Sequence, residues 1–412
     1  MTLRGESCTA LSGGLCRIAE GAYRIVTNGK QRVLQATAGG KPDQIPIALS
    51  ADWDYVVRAG GGDPYDWMYG GFDRRVELCV AAHRRHPGTA LMRTGQGRRA
   101  DEPRRLVEEN GQRWLMDPGT GRREQLVPLG DPPWTEFAQA YARELGVVMD
   151  ESAAEVVETR GDLERCMPPI LSSAEFISRG YTERTEAVVD ALGADTFIAT
   201  GYFGLFPDAR FSLGGFEEAM MALAGDTTLV EAVLDRHLAR YLEEIEAYAQ
   251  VGADGMWMRA YYEGADLVSP RTWRRVLFPR HKAFCDACHR HGTQAIIWFL
   301  GDCLPLVEDI AAAGYDLLYV EQGRRGYSSD PAEFRRRIGN DLCVTGWTWE
   351  HDMIADDRPA IAHTVREQIE SAARDGAFIY GTTFLTAEVR PETVDFMCQE
   401  ILNAGSALAS GA

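Results

Sequence analysis

Lysine is almost missing from this chain: only Lys30, Lys41 and Lys282 occur among its 43 basic residues. The arginine bias is read as codon usage, not chemistry. Positive charge is also in short supply overall, and the formal net charge is -18. Non-specific nucleic-acid binding rests on Lys and Arg neutralising phosphates, so this balance argues against it. Long hydrophobic runs are absent. No stretch reaches the roughly 18 apolar residues of a membrane helix, so no membrane association is expected. The chain does not open on a basic segment followed by an apolar core, so no leader is expected. A glycine-rich dinucleotide fingerprint after the first strand is missing too, which argues against an open doubly wound nucleotide fold. The nine cysteines are scattered from Cys8 to Cys398, an odd count that does not suggest a disulfide framework. These absences together predict a soluble, cytoplasmic protein.

What is present is repetition of element type. Eight short apolar runs have strand character: Ile45–Leu49, Thr89–Thr94, Thr196–Thr200, Gly255–Arg259, Ala295–Leu300, Leu317–Glu321, Leu342–Trp347 and Ala377–Thr383. Six of the seven intervals between them hold helical apolar spacing; the interval between the sixth and seventh runs is short. Strands alternating with helices pair in parallel through right-handed crossovers, and eight units fit a closed (β/α)8 TIM barrel. Ser269-Pro270 supplies a helix cap and a first-turn proline. Trp273, Val276, Leu277, Phe284 and Cys288 then mark a buried stripe, and Gly292 ends it. Asp330-Pro331 and Arg390-Pro391 read as two more helix starts. Residues 1–29 are expected to be a loose tail and 30–412 one barrel domain. An insertion at about 96–167 is expected after the second strand, with turns at Asp117-Pro118-Gly119 and Asp131-Pro132-Pro133 and a hairpin near Arg113–Met116.

In a parallel barrel the loops after the strands form the catalytic face. Position alone therefore nominates Asp52, Trp53, Arg93, Tyr202, Arg259, Tyr261, Tyr262, Glu263, Trp298, Asp302, Cys303, Glu321, Gln322, Trp347, Trp349, Glu350, His351 and Phe384. The catalytic candidates are Glu263, Glu321, Arg259, Asp302 and His351. Asp52, Trp53, Arg93, Tyr202, Tyr261, Trp298, Gln322, Trp347 and Trp349 are the substrate-binding candidates. Tryptophan at strand ends can wall an aromatic substrate or hold a cation on its π face; ordinary packing is the plainer alternative. Arg259 beside Glu263 and Glu321 would join a carboxylate grip to a general acid or base; an ion-pair ring bracing the mouth is the alternative. Cys285-Asp286-Ala287-Cys288-His289-Arg290-His291 has metal-like spacing but lies inside a helix, on its apolar stripe, so no metal is expected there. His83 and His86 are expected at the surface.

Several stretches resemble the uroporphyrinogen decarboxylase superfamily, which includes methyltransferases that serve corrinoid proteins and thiols. Gln31-Arg-Val-Leu-Gln-Ala-Thr-Ala-Gly-Gly-Lys-Pro-Asp-Gln-Ile-Pro46 is similar to the family's first helix and strand. Val251-Gly-Ala-Asp-Gly255 resembles its lead into a later strand. Leu267-Val-Ser-Pro-Arg-Thr-Trp-Arg-Arg-Val-Leu-Phe-Pro279 resembles its Ser-Pro helix. Gly301 to Asp316, and Gly346 with Thr364–Ile379, follow in order, so the resemblance covers about residues 30–405. It implies a β/α barrel.

The departures carry the functional information. Uroporphyrinogen decarboxylases have Arg-Gln-Ala-Gly-Arg after the first strand; here Ala48-Leu-Ser-Ala-Asp-Trp-Asp-Tyr55 stands there. Zinc methyltransferases have His-x-Cys-Gly at the fifth strand and a Cys after the eighth; here these read Trp298-Phe299-Leu300-Gly301 and Phe384. A thiol-activating zinc at that position is not expected. The resemblance then implies methyl transfer or demethylation of a small organic substrate, with a corrinoid on a partner protein as acceptor. A decarboxylase or lyase on a small carboxylic acid is one alternative. A non-catalytic scaffold binding a tetrapyrrole or a partner is another. Family analogy admits a homodimer.

Overall fold

The computed structural model describes residues 27–99, 104–134, 136, 155–323 and 326–410, with the backbone of the strands Leu15–Arg17 and Tyr23–Ile25. Those two strands form a small antiparallel pair. Most of residues 1–29, expected as a tail, lie outside the described residues.

Eight parallel strands close into a barrel: β1 (Ile47–Ala48), β2 (Thr89–Arg93), β3 (Phe197–Phe203), β4 (Gly255–Tyr261), β5 (Gln294–Leu300), β6 (Leu317–Val320), β7 (Cys343–Gly346) and β8 (Phe378–Gly381). Each lies within or over one of the eight apolar runs. Parallel pairing runs in sequence order around the barrel, and β8 closes on β1 through Tyr380–Ile47 and Gly381–Ala48. Closure hides every strand edge. It is reinforced by Tyr319 of β6, whose hydroxyl lies 2.7 Å from the Thr382 carbonyl and 3.1 Å from that of Ala48, and accepts from the Thr382 N–H at 2.8 Å.

Strand alternation sorts the core into two layers. Trp257, Ile296, Trp298, Leu317, Tyr319 and Leu91 pack inside the barrel. Met256, Met258, Ala260, Ile297 and Phe299 face the surrounding helices. The helix Thr228–Gln250 shows why those helices form: Val230, Val233, Leu234, His237, Tyr241, Ile245 and Tyr248 recur at three- and four-residue spacing and are all buried.

The proline-marked boundaries are as expected. The Ser269 side chain accepts from the Thr272 N–H, and a helix begins at Pro270. It passes through a π-helical segment, Trp273–Leu277, before continuing as Phe278–Arg290. Pro279 explains the wide turn, because it has no N–H to give to the preceding turn. Helices also start at Pro331 and Pro391. The first of these, Pro331–Ile338, fills the short interval between β6 and β7.

After β2 the chain leaves the barrel repeat. Strands Arg105–Glu109, Gln112–Met116 and Arg123–Gln125 make a three-stranded antiparallel sheet, turned at Asn110-Gly111 and at Asp117 to Arg122. This sheet packs on the helix Pro64–Tyr69 through Leu106, Leu115, Tyr65, Met68 and Tyr69, beside Trp53. Arg113 fixes it there with ion pairs to Asp63 and Asp66. The sheet therefore sits next to the C-terminal end of β1. Residues 137–154 of the expected insertion lie outside the described residues.

Candidate functional site

Among the described residues, seven buried polar side-chain atoms without a hydrogen-bond partner gather in the barrel interior and at its C-terminal end. They are Arg93 Nη1, the indole nitrogens of Trp257 and Trp298, and the hydroxyls of Ser50, Thr94, Thr348 and Thr383. Native proteins rarely leave such atoms unmatched, so a cluster of them at one place marks where a polar ligand belongs. Beside them a cavity of about 350 Å³ runs along β1 and β2 and under the helices Trp53–Ala59 and Gly71–Arg85. Its volume is within the range of small-molecule sites. Asp52, Trp53, Arg93, Thr94, Arg184, Tyr202 and Phe384 are among the residues that line it.

Arg93 ends β2. Its guanidinium carbon lies 5.4 to 5.6 Å from the ring centres of Tyr202, Trp257 and Trp298. These rings hold the cation by their π faces and supply no counter-charge. Asp52 caps the helix Trp53–Ala59, accepting from the Trp53 N–H at 2.7 Å. Burial raises its pKa, and the Trp53 N–H and the Arg93 charge offset this only in part. The site thus places a carboxyl group with a raised pKa near a guanidinium that forms no ion pair among the described residues. Tyr202 reaches the mouth because β3 breaks register between Thr200 and Phe203. Gly201 sits there at φ +79°, with the Phe203 ring 2.2 Å from where a Cβ would lie. The bulge re-aims the next side chain toward the opening. Tyr202 and Tyr261 hydroxyls are 3.5 Å apart, and burial holds the Tyr261 phenol well above its usual pKa.

The structure brings Asp52, Trp53, Arg93, Tyr202, Tyr261 and Trp298 to one place. Glu321 joins them from the end of β6, where its charge and that of Arg93 both act on the buried Tyr319. Other candidates are elsewhere. The expected grouping of Arg259 with Glu263 and Glu321 does not form. Tyr262 adopts φ 65° just past β4 and turns the chain, so Glu263 enters the layer behind the barrel. There it is fully buried, 2.8 Å from His281 Nε2, while His281 Nδ1 lies 2.6 Å from the Tyr315 hydroxyl. Arg259 pairs with Asp208 at 2.7 Å and donates to the Tyr202 carbonyl. Asp302 donates its N–H to Asp266, and burial, with Asp266 nearby, raises its pKa. His351 is an exposed helical residue beside Asp352. Gln322 caps the helix Glu350–Ala355 by accepting from the Glu350 N–H. The Trp347 indole donates to the Ser329 carbonyl and packs edge-on against Trp349, 4.8 Å between centres. These two tryptophans brace the β6–β7 side.

His83 and His86 are not at the surface, where their sequence positions lead one to expect them. Both line the cavity. His86 is 3% exposed and lies 2.9 Å from the Tyr55 hydroxyl and 2.7 Å from Asp395. His83 lies 3.1 Å from the Thr196 hydroxyl, and burial lowers its pKa to about 4. The missed signal is a stripe: Cys79, Ala82, His83 and His86 recur at three- and four-residue spacing. Arg184 was also missed. It extends the buried stripe of Val188 and Leu192 on the helix Glu183–Leu192.

Comparison with known proteins agrees with this architecture. A family model described as "Uroporphyrinogen decarboxylase (URO-D)" matches residues 209–403. A uroporphyrinogen decarboxylase from Trichodesmium erythraeum (strain IMS101) is 23% identical over 180 residues, 43% of this chain and 49% of that protein. The chain thus matches about half the length of this curated relative. A solved methyltransferase from Methanosarcina mazei shares the fold, with a TM-score of 0.63 at 17% identity over 91% of this chain and 98% of that one. Residues 209–403 thus match the uroporphyrinogen decarboxylase family, and the chain resembles a divergent member of that superfamily. It carries the fold of an enzyme family, and among the described residues no helix is long and apolar enough to cross a membrane.

The superfamily's zinc site can be tested against the residues present. The positions that match its ligands, Trp298 and Phe384, stack on each other with ring centres 5.8 Å apart and planes 24° apart. Neither ring has an atom that coordinates zinc, and Leu300 matches the third ligand. Among the described residues no three His, Cys, Asp or Glu side chains converge as a metal-binding group. Cys285 and Cys288 are buried in the helix–barrel interface, with thiol pKa values pushed up by burial. The residues do not fit the zinc of the superfamily's thiol methyltransferases, and no step here uses it.

Proposed function

We propose that this chain removes a methyl group from a small carboxylate-bearing substrate. The observation that carries this reading is Arg93, whose Nη1 is buried beside the cavity with no hydrogen-bond partner among the described residues. A methylammonium substrate does not suit the aromatic surround, because Arg93 already occupies it. An anion does suit it: a carboxylate would meet the guanidinium through charge-assisted hydrogen bonds.

A carboxylate held this way serves as a handle. Loss of carbon dioxide disperses the charge that Arg93 would stabilise, so the grip would favour the ground state of that reaction. The reacting group is then elsewhere on the substrate. A methyl ether or thioether on the apolar side of the cavity fits. A corrinoid carried by a partner protein would supply the nucleophile that accepts the methyl group without its bonding electrons. Asp52 delivers its proton to the oxygen or sulfur that keeps the bonding pair. Trp53, Tyr261, Trp298 and Phe384 exclude water and orient the substrate.

A second reading rests on the same acid. Asp52 could protonate the carbanion left when a carboxylate not held by Arg93 departs as carbon dioxide. One assay separates the two. Purified chain is incubated with methoxy- and methylthio-carboxylic acids, with and without reduced cobalamin, while methyl-donor consumption and carbon dioxide are followed. Methyl transfer requires consumption that depends on cobalamin, on the substrate carboxylate and on Asp52. Carbon dioxide release without cobalamin would replace it with the lyase reading. Turnover of neither kind across the panel would leave a ligand-binding scaffold.

A further inference from the structure

The cavity holds a second cation. Arg184 lines it from the helix Glu183–Leu192. Among the described residues neither Arg93 nor Arg184 forms an ion pair. Removing a guanidinium from water without a counter-charge is costly. Burial, reinforced by the like charge of Arg75, accordingly lowers the Arg184 pKa. The head group is nonetheless held in place. Its guanidinium carbon is 6.0 Å from the Trp67 ring centre, and the backbone of Gly97 passes so close that a Cβ there would lie 2.4 Å from Nε. The absence of a side chain at Gly97 lets the loop after β2 lie directly against this arginine.

The other ionisable groups in the wall do not balance these two charges. Among the described residues Asp52 is the only lining carboxyl group, so a single acid faces two guanidiniums, and burial raises its pKa. His83 is neutral at pH 7, since burial holds its pKa near 4. His86 already has Asp395 as its partner. The rest of the wall is largely apolar, including Leu49, Val56, Ala82, Leu91 and Met92.

We propose that the cavity binds a small organic dicarboxylate, with one carboxylate on Arg93 and the other on Arg184. This rests on the reading of Arg93 as a carboxylate grip and adds the second anchor. The apolar wall would contact the carbon skeleton, and the fixed positions of the two arginines would select its length. The substrate class becomes a methyl-bearing diacid rather than any small acid. The anchors come from β2 and from the helix before β3, whereas uroporphyrinogen decarboxylases carry their arginines after the first strand.

Isothermal titration of the full chain at pH 7.5 tests this. The probes are the straight-chain diacids from succinate to pimelate and the monomethyl ester of the best binder. The variants are Arg184→Gln and Arg93→Gln, each checked for folding by circular dichroism. One chain length should bind best, and its half-ester should bind at least about tenfold more weakly to the parent chain, the loss of one charge-assisted contact. Arg184→Gln should bind diacid and half-ester alike. Equal binding of diacid and half-ester by the parent would overturn the second anchor and leave Arg93 as a single grip; that comparison stands even if Arg184→Gln does not fold. No binding of any diacid, or an Arg93→Gln chain that binds as the parent does, would overturn the Arg93 reading and the dicarboxylate with it.

Discussion

Arg93 and Asp52 form an unusual pair: a cation with rings around it and no ion pair among the described residues, near an acid whose pKa burial raises. Each gives a single-residue prediction. Arg93→Gln keeps a polar side chain but removes the charge. It should weaken binding of a carboxylate ligand on the order of tenfold to a hundredfold, as measured by calorimetry. Asp52→Asn should leave that binding nearly unchanged and abolish turnover, because it removes the proton donor and spares the grip. His237 gives a prediction that depends on pH. It is 5% exposed, and burial lowers its pKa from 6.5 to about 4. Between those values the unfolded chain binds the proton and the folded chain does not, so stability contributed by the neutral ring is lost as pH falls from about 6.5 to about 4. A His237→Gln chain lacks this loss. Its stability relative to the parent should improve steadily across that window and level off below it, as followed by denaturant titration at several pH values.

Elements explain which candidates reach the site. Strand ends were legible because short apolar runs with regular spacing have few alternatives, and every expected run holds a barrel strand. Direction beyond the strand end was not legible. Glu263 and Tyr261 are two positions apart, yet Tyr261 stays at the mouth and Glu263 turns behind the barrel after Tyr262. A positive φ at a tyrosine has no sequence signature. His83, His86 and Arg184 were hidden for another reason: they reach the cavity sideways from crossover helices, and strand positions say nothing about that. Their helical stripe was the available signal. Glu263→Ala tests the assignment of this residue to the packing layer. It leaves His281 Nε2 without its hydrogen-bond partner in a dry interior, at a cost of about 1–3 kcal/mol. The melting temperature should fall, while the folded fraction should bind carboxylates as the parent does. Tyr319→Phe tests barrel closure. The carbonyls of Ala48 and Thr382 and the Thr382 N–H lose a shared partner, for a cost of about 1–3 kcal/mol. Chemical denaturation would measure it.

At the scale of the whole molecule, the closed barrel, the superfamily match and the stacked Trp298–Phe384 pair belong together. The barrel that elsewhere in the superfamily places a thiol-activating zinc here places aromatic bulk at the corresponding positions. Polarity has moved to the β1–β2 side, where the cavity lies between the barrel and its first helices. A chain with net charge -18 places there two arginines that form no ion pair among the described residues. Attraction of an acidic substrate is therefore local, and the rest of the surface does not supply it. The most direct test is an experimental structure of the chain with a methoxy-dicarboxylic acid bound. Carboxylate oxygens are expected within hydrogen-bond distance of Arg93 Nη1 and of the Arg184 guanidinium, with the ether oxygen facing Asp52. A ligand seated instead against Glu263 or the Trp347–Trp349 pair, or a bound carboxylate that leaves Arg93 unpartnered, would contradict this placement.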